Sequence, residues 1–164
     1  MAMSLSRRRS IAIALATTTL FGLVSIGTAE QASAATVYTD NNGYPSQEGD
    51  FYLTYNSNDA GAAAWFYGDV PDYAGTGVYS GGTGSQTVVY VFQQNGGSGQ
   101  GQAVKNNAAY GENSDLADSY TVYYNSSYEG ASEVYYPVDY GFYEGNLDST
   151  LKNNEASQYR RTYV

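Results

Sequence analysis

Short runs of tyrosine, valine and phenylalanine alternate along the chain with clusters of glycine, asparagine, aspartate and serine. No apolar stripe with a 3.6-residue period extends beyond a turn or two, so helix is disfavoured. Such runs between turn-forming residues are typical of short antiparallel strands. The pattern predicts strands at residues 51–56, 62–67, 86–93, 120–125, 131–136 and 157–163. The predicted fold class is therefore all-β.

Two parts of the chain resemble each other. FYLTYNSNDAGA at 51–62 and YTVYYNSSYEGA at 120–131 share a Tyr-Asn-Ser triplet followed by glycine and alanine, and VKNNAAY at 104–110 matches LKNNEAS at 151–157. This self-similarity indicates two copies of one supersecondary unit, which cannot bury its apolar face alone. We expect the two copies to pack into one domain with approximate twofold symmetry.

The first copy is longer than the second. Its surplus lies at 75–101, where glycine-rich segments flank the strand-like TVVYVFQQ. We assign motif one to 50–111, with this insertion, and motif two to 119–164. Because glycine-rich chain loses much entropy on ordering, the insertion is either a mobile loop pair or a protruding hairpin.

The first 34 residues have the features of a cleavable signal peptide. Three arginines at 7–9 precede an apolar stretch at 11–27, and a small-residue cleavage site follows at 32–34. A membrane anchor is the alternative, but the stretch contains three threonines and is shorter than the roughly 20 apolar residues that a span needs. The protein is therefore expected to be secreted.

The secreted part is expected to be one folded domain at 50–164. Residues 35–49 are polar and interrupted by Gly43 and Pro45, which predicts a flexible N-terminal arm. Removing residues 1–34 leaves four basic residues against 15 acidic ones, and hence a formal charge of −11. A surface this acidic repels phosphate groups, so neither nucleic acid nor a membrane surface is an expected partner.

The chain contains no cysteine and no histidine. The missing histidine removes the commonest general base at neutral pH and the usual nitrogen ligand of zinc. Thiol chemistry, Ser-His-Asp hydrolysis and zinc catalysis in their ordinary forms are excluded. The carboxylates are scattered singly and offer no obvious glycosidase pair, so we expect a protein that is not an enzyme.

Tyrosine is the main apolar resource of the chain, which has 19 tyrosines, all after residue 34. Each ring offers a large packing surface, and its hydroxyl can stay hydrated at a sheet edge. Packing in a small sandwich explains this excess, and an exposed aromatic platform that binds carbohydrate is the functional alternative.

The second copy carries two further motifs. Tyr123, Tyr128 and Gly130 fit an aromatic-x-x-x-x-aromatic-x-glycine pattern, in which the glycine turns a folded hairpin under an aromatic ring. NNEASQ at 153–158 agrees at five of six positions with the order Asn/Asp, Asn/Asp, two free positions, Ser/Thr, Ser. On these motifs the chain resembles βγ-crystallin domains over nearly all of 50–164, and in particular the secreted Streptomyces metalloproteinase inhibitor family.

The resemblance implies an antiparallel β-sandwich of two Greek-key motifs, βγ-crystallin-like. It also implies a calcium site with Asn153, Asn154 and Ser157 as metal ligands, together with carbonyl groups from around 55–59 of the other copy. Extracellular modules typically bind calcium with dissociation constants of about 10⁻⁴ to 10⁻³ M. Paired asparagines also form Asx-turns without any ion, and this alternative stays open.

The first copy departs from both motifs. Thr54 and Asp59 stand where the aromatic residues are expected, and only Gly61 is kept. Tyr110 replaces the small hydroxyl residue of the ion motif, and a phenol does not fit the same tight oxygen cage without rearrangement. The resemblance therefore assigns the calcium site to the second copy.

The leading hypothesis is a secreted, non-enzymatic binding protein that inhibits an extracellular metalloprotease. The chain lacks the cysteines of the inhibitor known from that family, so no reactive-site residue is assigned. Two alternatives remain: a calcium-stabilised structural protein of the extracellular space, and a carbohydrate-binding module.

Overall fold

The computed structural model of the protein describes residues 36–42, 50–80 and 84–163. The predicted signal peptide lies outside the described residues, and so do positions 35 and 43–49 of the predicted arm. The described part forms ten strands and contains no helix. The strands are β1 Thr36–Thr39, β2 Phe51–Asn56, β3 Ala60–Phe66, β4 Thr76–Ser80, β5 Gly84–Tyr90, β6 Tyr110–Asn113, β7 Asp118–Asn125, β8 Glu129–Tyr135, β9 Glu144–Asn146 and β10 Ser157–Thr162.

Two antiparallel sheets form the sandwich, and each contains chain from both motifs. One sheet has the order β3-β2-β6-β9, so that β9 of motif two completes the sheet of motif one. The other has the order β10-β7-β8, and Val70 of motif one adds to its edge. The backbones of Val70 and Gln158 exchange two hydrogen bonds of 2.9 Å there. The two motifs are therefore interlocked Greek keys, and the predicted all-β sandwich is confirmed.

Aromatic rings fill the space between the two sheets. Phe51 of β2 stacks on Tyr120 of β7 with ring centroids 5.0 Å apart, and it meets the edge of Tyr135 at 5.3 Å. All three side chains are fully buried, as are Leu53 and Val122. One continuous core thus joins the motifs, and burial of apolar area is its main source of stability.

A third sheet, with the order β1-β5-β4, is built from the insertion and the predicted arm. The prediction of a flexible arm is not met at positions 36–42, because β1 pairs in parallel with residues 87–90 of β5. The backbone N–H of Trp65 also donates to the carbonyl of Asp40 at 2.7 Å. Of the two alternatives for the insertion, the structure shows a hairpin, formed by β4 and β5.

The strands that sequence patterns missed are short or polar. β6 and β9 have the sequences YGEN and EGN, with one apolar residue between them. Pairing with neighbouring strands positions both of them, because β6 lies between β2 and β9 in the sheet. Tertiary pairing, not local propensity, makes these residues strands.

The two hairpin corners have the same backbone geometry. Gly61 and Gly130 have φ angles of +83° and +85°, which favour glycine. A Cβ atom at Gly61 would lie 2.9 Å from the side-chain amide nitrogen of Asn56, and one at Gly130 would lie 2.8 Å from that of Asn125. In each hairpin the register shifts at the same place, just before these asparagines. The predicted duplication is therefore real at the level of single residues.

Different residues cover the two corners. In the second motif the rings of Tyr123 and Tyr128 meet at 6.1 Å, in agreement with the aromatic pattern. In the first motif the insertion takes this place, because the carbonyl of Ser98 accepts the N–H of Ala62 at 2.8 Å. The ring of Tyr55 packs so closely on Gly99 that a Cβ atom there would lie 2.1 Å from it. The insertion explains why the first motif lacks both signature aromatics.

Arg160 of β10 connects the motifs by ion pairs. Its guanidinium lies 2.6 Å from Asp118, 2.9 Å from Asp115 and 3.9 Å from Asp50, and it stacks on the ring of Tyr67 at 4.6 Å. Burial works to raise the pKa of Asp115, but the N–H of Ala117 and the Arg160 side chain lower it overall. One guanidinium thus lies within ion-pair distance of three carboxylates and offsets part of their negative charge.

Replacing Arg160 with methionine is expected to lower the free energy of unfolding by about 2 to 4 kcal/mol, because three carboxylates then lose their counter-charge. Chemical denaturation measures this quantity. Arg161→Met, at an exposed position of the same strand, is the matched control and should change stability by less than about 0.5 kcal/mol. Equal effects of the two substitutions would contradict a special role for the Arg160 cluster.

Candidate functional site

The two Lys-Asn-Asn segments form matching turns where the motifs meet. Asn106 and Asn153 have φ angles of +63° and +58°. The N–H of Asn106 donates to the carbonyl of Glu155 at 2.9 Å, and the N–H of Asn153 donates to the carbonyl of Ala108 at 2.8 Å. Each turn therefore binds the other through equivalent backbone atoms, so an approximate twofold axis passes between them.

Two pockets flank this axis, and each is lined by seven residues of matching type. Pocket one is lined by Tyr55, Asn56, Ser57, Asn107, Ala109, Lys152 and Asn153. Pocket two is lined by Tyr124, Asn125, Ser126, Asn154, Ala156, Lys105 and Asn106. In each pocket the Tyr-Asn-Ser hairpin comes from one motif and the Lys-Asn pair from the other.

A lysine from the opposite motif reaches into each pocket. The Lys152 ammonium donates to the hydroxyl of Ser57 at 2.6 Å. The Lys105 ammonium donates to the hydroxyl of Ser126 at 2.8 Å and forms an ion pair with Asp72 at 2.9 Å. The charged group of each pocket is thus a cation that the chain itself supplies.

The structure does not bring the three predicted calcium ligands together. Asn153 lines pocket one and Asn154 lines pocket two. The hydroxyl of Ser157 donates to the carbonyl of Asn125 at 2.7 Å and accepts the N–H of Tyr128 at 3.1 Å. Ser157 therefore contacts the hairpin of its own motif, and only Asn153 lies against the predicted 55–59 hairpin of the other motif.

The surroundings of these residues do not fit a calcium ion. Calcium prefers six to eight oxygen ligands, with carboxylates prominent among them. No carboxylate lines either pocket, each pocket contains an ammonium group, and the described residues hold no cluster of three acidic or histidine side chains suited to a metal. The Asn154 amide donates to the carbonyl of Lys152 at 3.1 Å. This contact agrees with a role of the asparagines in turns.

Glu155, which sequence analysis treated as a free position, is fully buried beside the axis. One carboxyl oxygen accepts the N–H groups of Ala108 at 2.8 Å and Asn107 at 3.1 Å. The other oxygen has no hydrogen-bond partner among the described residues. Burial raises the pKa of Glu155 to about 8, although the backbone N–H groups act in the opposite direction.

The outer side of the β10-β7-β8 sheet carries aromatic rings that are exposed or half-buried, and we call this surface the tyrosine face. Its rings touch in two groups, with centroid distances of 5.4 to 6.1 Å. The members are Tyr123, Tyr128 and Tyr159 in one group, and Tyr136, Tyr140 and Tyr163 in the other. Side chains alternate across a strand, so these rings face outward while Tyr120 and Val122 face the core.

A groove on the tyrosine face runs beside the second group of rings. It is lined by Ser119, Thr121, Val134, Tyr136, Arg161, Thr162 and Tyr163. Arg161 is exposed and supplies a positive charge on an otherwise acidic protein. The groove therefore combines apolar ring surface, hydroxyl groups and one guanidinium on a sheet of fixed geometry.

The corresponding face of the other sheet is different. Tyr52 and Trp65 stack there at 5.4 Å, in the register positions that Thr121 and Val134 occupy in motif two. The Tyr52 hydroxyl donates to the carboxylate of Glu112. Burial and this contact raise the pKa of Tyr52. These polar groups are paired within the protein and are less available to a ligand.

Comparisons with known proteins give one match to report. No family model matches the chain, and no curated protein matches it. A solved structure described as "Evolution of the eye lens beta-gamma-crystallin domain fold" is similar, at 11% sequence identity and a TM-score of 0.46, over 71% of this chain and 89% of that one. None of the described residues forms a helix that is long and apolar enough to cross a membrane.

Glu155→Gln is expected to change how stability depends on pH. In the wild-type protein the raised pKa makes the Glu155 contribution greatest below about pH 4.5, and it is lost as pH rises towards about 8. The free energy of unfolding should fall across this window by up to about 1.4 kcal/mol per pH unit. The glutamine oxygen can still accept both N–H groups, so the variant should lack this fall and be more stable than wild type at pH 8.

Urea denaturation at pH 5, 6, 7 and 8 tests this expectation. Glu129→Gln removes an exposed carboxylate of β8 and serves as the control. If Glu155→Gln and wild type show the same pH dependence, Glu155 does not titrate in this window.

Proposed function

We propose that the protein is a secreted, non-enzymatic binding protein whose tyrosine face contacts an extracellular metalloprotease and blocks its activity. The observation that carries the binding role is the exposed set of contacting tyrosines beside Arg161. Tyrosine and arginine are the residues that most often dominate the energetics of protein interfaces. The choice of a protease as partner comes from the resemblance of the sequence motifs to metalloproteinase inhibitors.

The position of the tyrosine face supports tight binding. Tyr123 lies on β7 and Tyr159 on β10, and the other rings contact them or one another at the ends of these strands. Little side-chain entropy therefore remains to be lost when a partner binds. Tyr140 is 61% exposed and Tyr163 is 42% exposed, which leaves large apolar area for a partner to cover. Contiguous exposed aromatic surface of this kind marks interaction sites.

The groove and the two pockets beside the axis offer little support for catalysis. The tyrosine-face groove contains no carboxylate, and the pockets beside the axis contain lysine, asparagine and serine without an activating base. A calcium-stabilised structural role has less support than binding, because an ammonium group lies in each pocket where the ion would be sought.

Residual activity of a thermolysin-type protease, measured against increasing concentrations of the secreted protein, tests the proposal. We expect inhibition at micromolar protein. Tyr163→Ala should weaken it by roughly 30-fold, the effect of a hot-spot residue. Tyr38→Ala, at an exposed position of β1, is the control and should inhibit like wild type. No inhibition at micromolar concentrations, or equal loss in both variants, would contradict the proposal.

Polysaccharide binding is a second candidate, favoured by the groove in which ring faces adjoin the hydroxyls of Ser119 and Thr121 and the guanidinium of Arg161. Sugar rings stack on aromatic faces, while hydroxyl and guanidinium groups bind their oxygens. A polysaccharide would use the same surface as a protease, so the two candidates compete for the same residues.

Affinity electrophoresis in gels that contain soluble cell-wall polysaccharide tests this candidate. Wild type should be retarded, and Tyr136→Ala should migrate as it does in a gel without polysaccharide, with Tyr38→Ala again as the control. Fluorescence of Trp65 is a poor reporter here, because this residue lies on the other sheet. Unchanged migration of wild type would contradict polysaccharide binding.

A further inference from the structure

We infer that the ammonium groups of Lys105 and Lys152 are built-in cations of the two pockets, which makes calcium unnecessary for this domain. The inference starts from the agreement between the pockets. Both contain the same residue types, and in both a lysine of one motif donates to the serine hydroxyl of the other motif's Tyr-Asn-Ser hairpin. A contact that occurs twice around the axis is a feature of the repeated unit.

The electrostatics of the pockets point the same way. A divalent ion placed in either pocket would lie near an ammonium group, and the one carboxylate beside pocket two, Asp72, is already paired with Lys105. The ammonium itself donates to the pocket oxygens, as at the 2.6 Å contact of Lys152 with Ser57. The lysine thus uses an oxygen that an ion would need, and it carries its own positive charge without loss of a free ion's translational entropy.

Each lysine also joins the two motifs. Lys105 belongs to motif one and contacts the β7–β8 hairpin, whereas Lys152 belongs to motif two and contacts the β2–β3 hairpin. A bound ion that took ligands from both motifs would serve the same purpose. Each lysine is part of the chain, and its hydrogen bond to the other motif therefore links the motifs as an ion bound at this interface would.

The two pockets differ in one charge. Asp72, which pairs with Lys105, precedes Tyr73, whose N–H donates to Ala156. At the equivalent place in the other motif, Asn146 precedes Leu147, whose N–H donates to Ala109. Lys152 has no carboxylate within ion-pair distance among the described residues, whereas Lys105 has one at 2.9 Å. We therefore expect the Lys105 contact to be the stronger of the two.

Thermal unfolding of the secreted protein tests the inference, with 20 mM calcium chloride compared with a chelator at matched ionic strength. The wild-type midpoint should be unchanged to within about 1 °C, because we expect no vacant cation site among the described residues. Lys105→Met should unfold about 3 to 5 °C lower in chelator, and Lys152→Met should lose less.

Calcium should raise the midpoint of Lys105→Met by at least about 2 °C, because this substitution leaves Asp72 and the pocket oxygens without a cation. Magnesium chloride at the same concentration controls for salt. A rise of the wild-type midpoint in calcium would overturn the inference, and so would a Lys105→Met variant with no calcium response. If a lysine variant fails to fold, calorimetric titration of wild type with calcium decides, since measurable binding up to 1 mM would equally overturn the inference.

Discussion

The exchange of backbone hydrogen bonds between the two motifs is the constraint on which the rest of the structure depends. Motif two supplies β9 to the first sheet, and motif one supplies Val70 to the edge of the second. Each sheet is therefore incomplete without the other motif, and the turns at Asn106 and Asn153 add reciprocal bonds beside the axis. With no cysteine in the chain, this interlocking, the shared aromatic core and the Arg160 cluster take the place that disulfides occupy in many small secreted domains.

The symmetry of the backbone allows the side chains to differ. Ala108 and Glu155 occupy equivalent positions at the axis, yet Glu155 carries a fully buried carboxyl that caps the backbone of the opposite turn. Such an unpaired buried oxygen costs stability, and the cost rises when the group ionises. The lysine pockets avoid a comparable cost, because their charged groups stay partly solvated and bind hydroxyl groups. The repeated unit thus tolerates one buried carboxyl group with an unsatisfied oxygen at the axis.

Much of the fold could be predicted from the sequence, because the signals were local. The Tyr-Asn-Ser repeat and the glycine corners depend on residues close in the chain, and β2 has its predicted bounds of 51–56. β6 and β9 could not be predicted, because their polar residues become strands only through pairing with distant chain. The residues that meet in the two pockets could not be predicted for a related reason. The ion motif spans six adjacent residues, whereas the lysine that enters each pocket contacts a hairpin on the other motif.

The two outer faces show how far the side chains of the duplicated motifs have diverged. Where motif one has Tyr52, Trp65 and Glu112 in register, motif two has Thr121, Val134 and Tyr159. In motif one the hydroxyl of Tyr52 donates to Glu112, so this pair is satisfied within the protein. In motif two the smaller residues Thr121 and Val134 line a groove together with Tyr136 and Tyr163. Because the shared core and the interlocked sheets hold both motifs in place, the outward residues of one motif can differ from those of the other within the same fold.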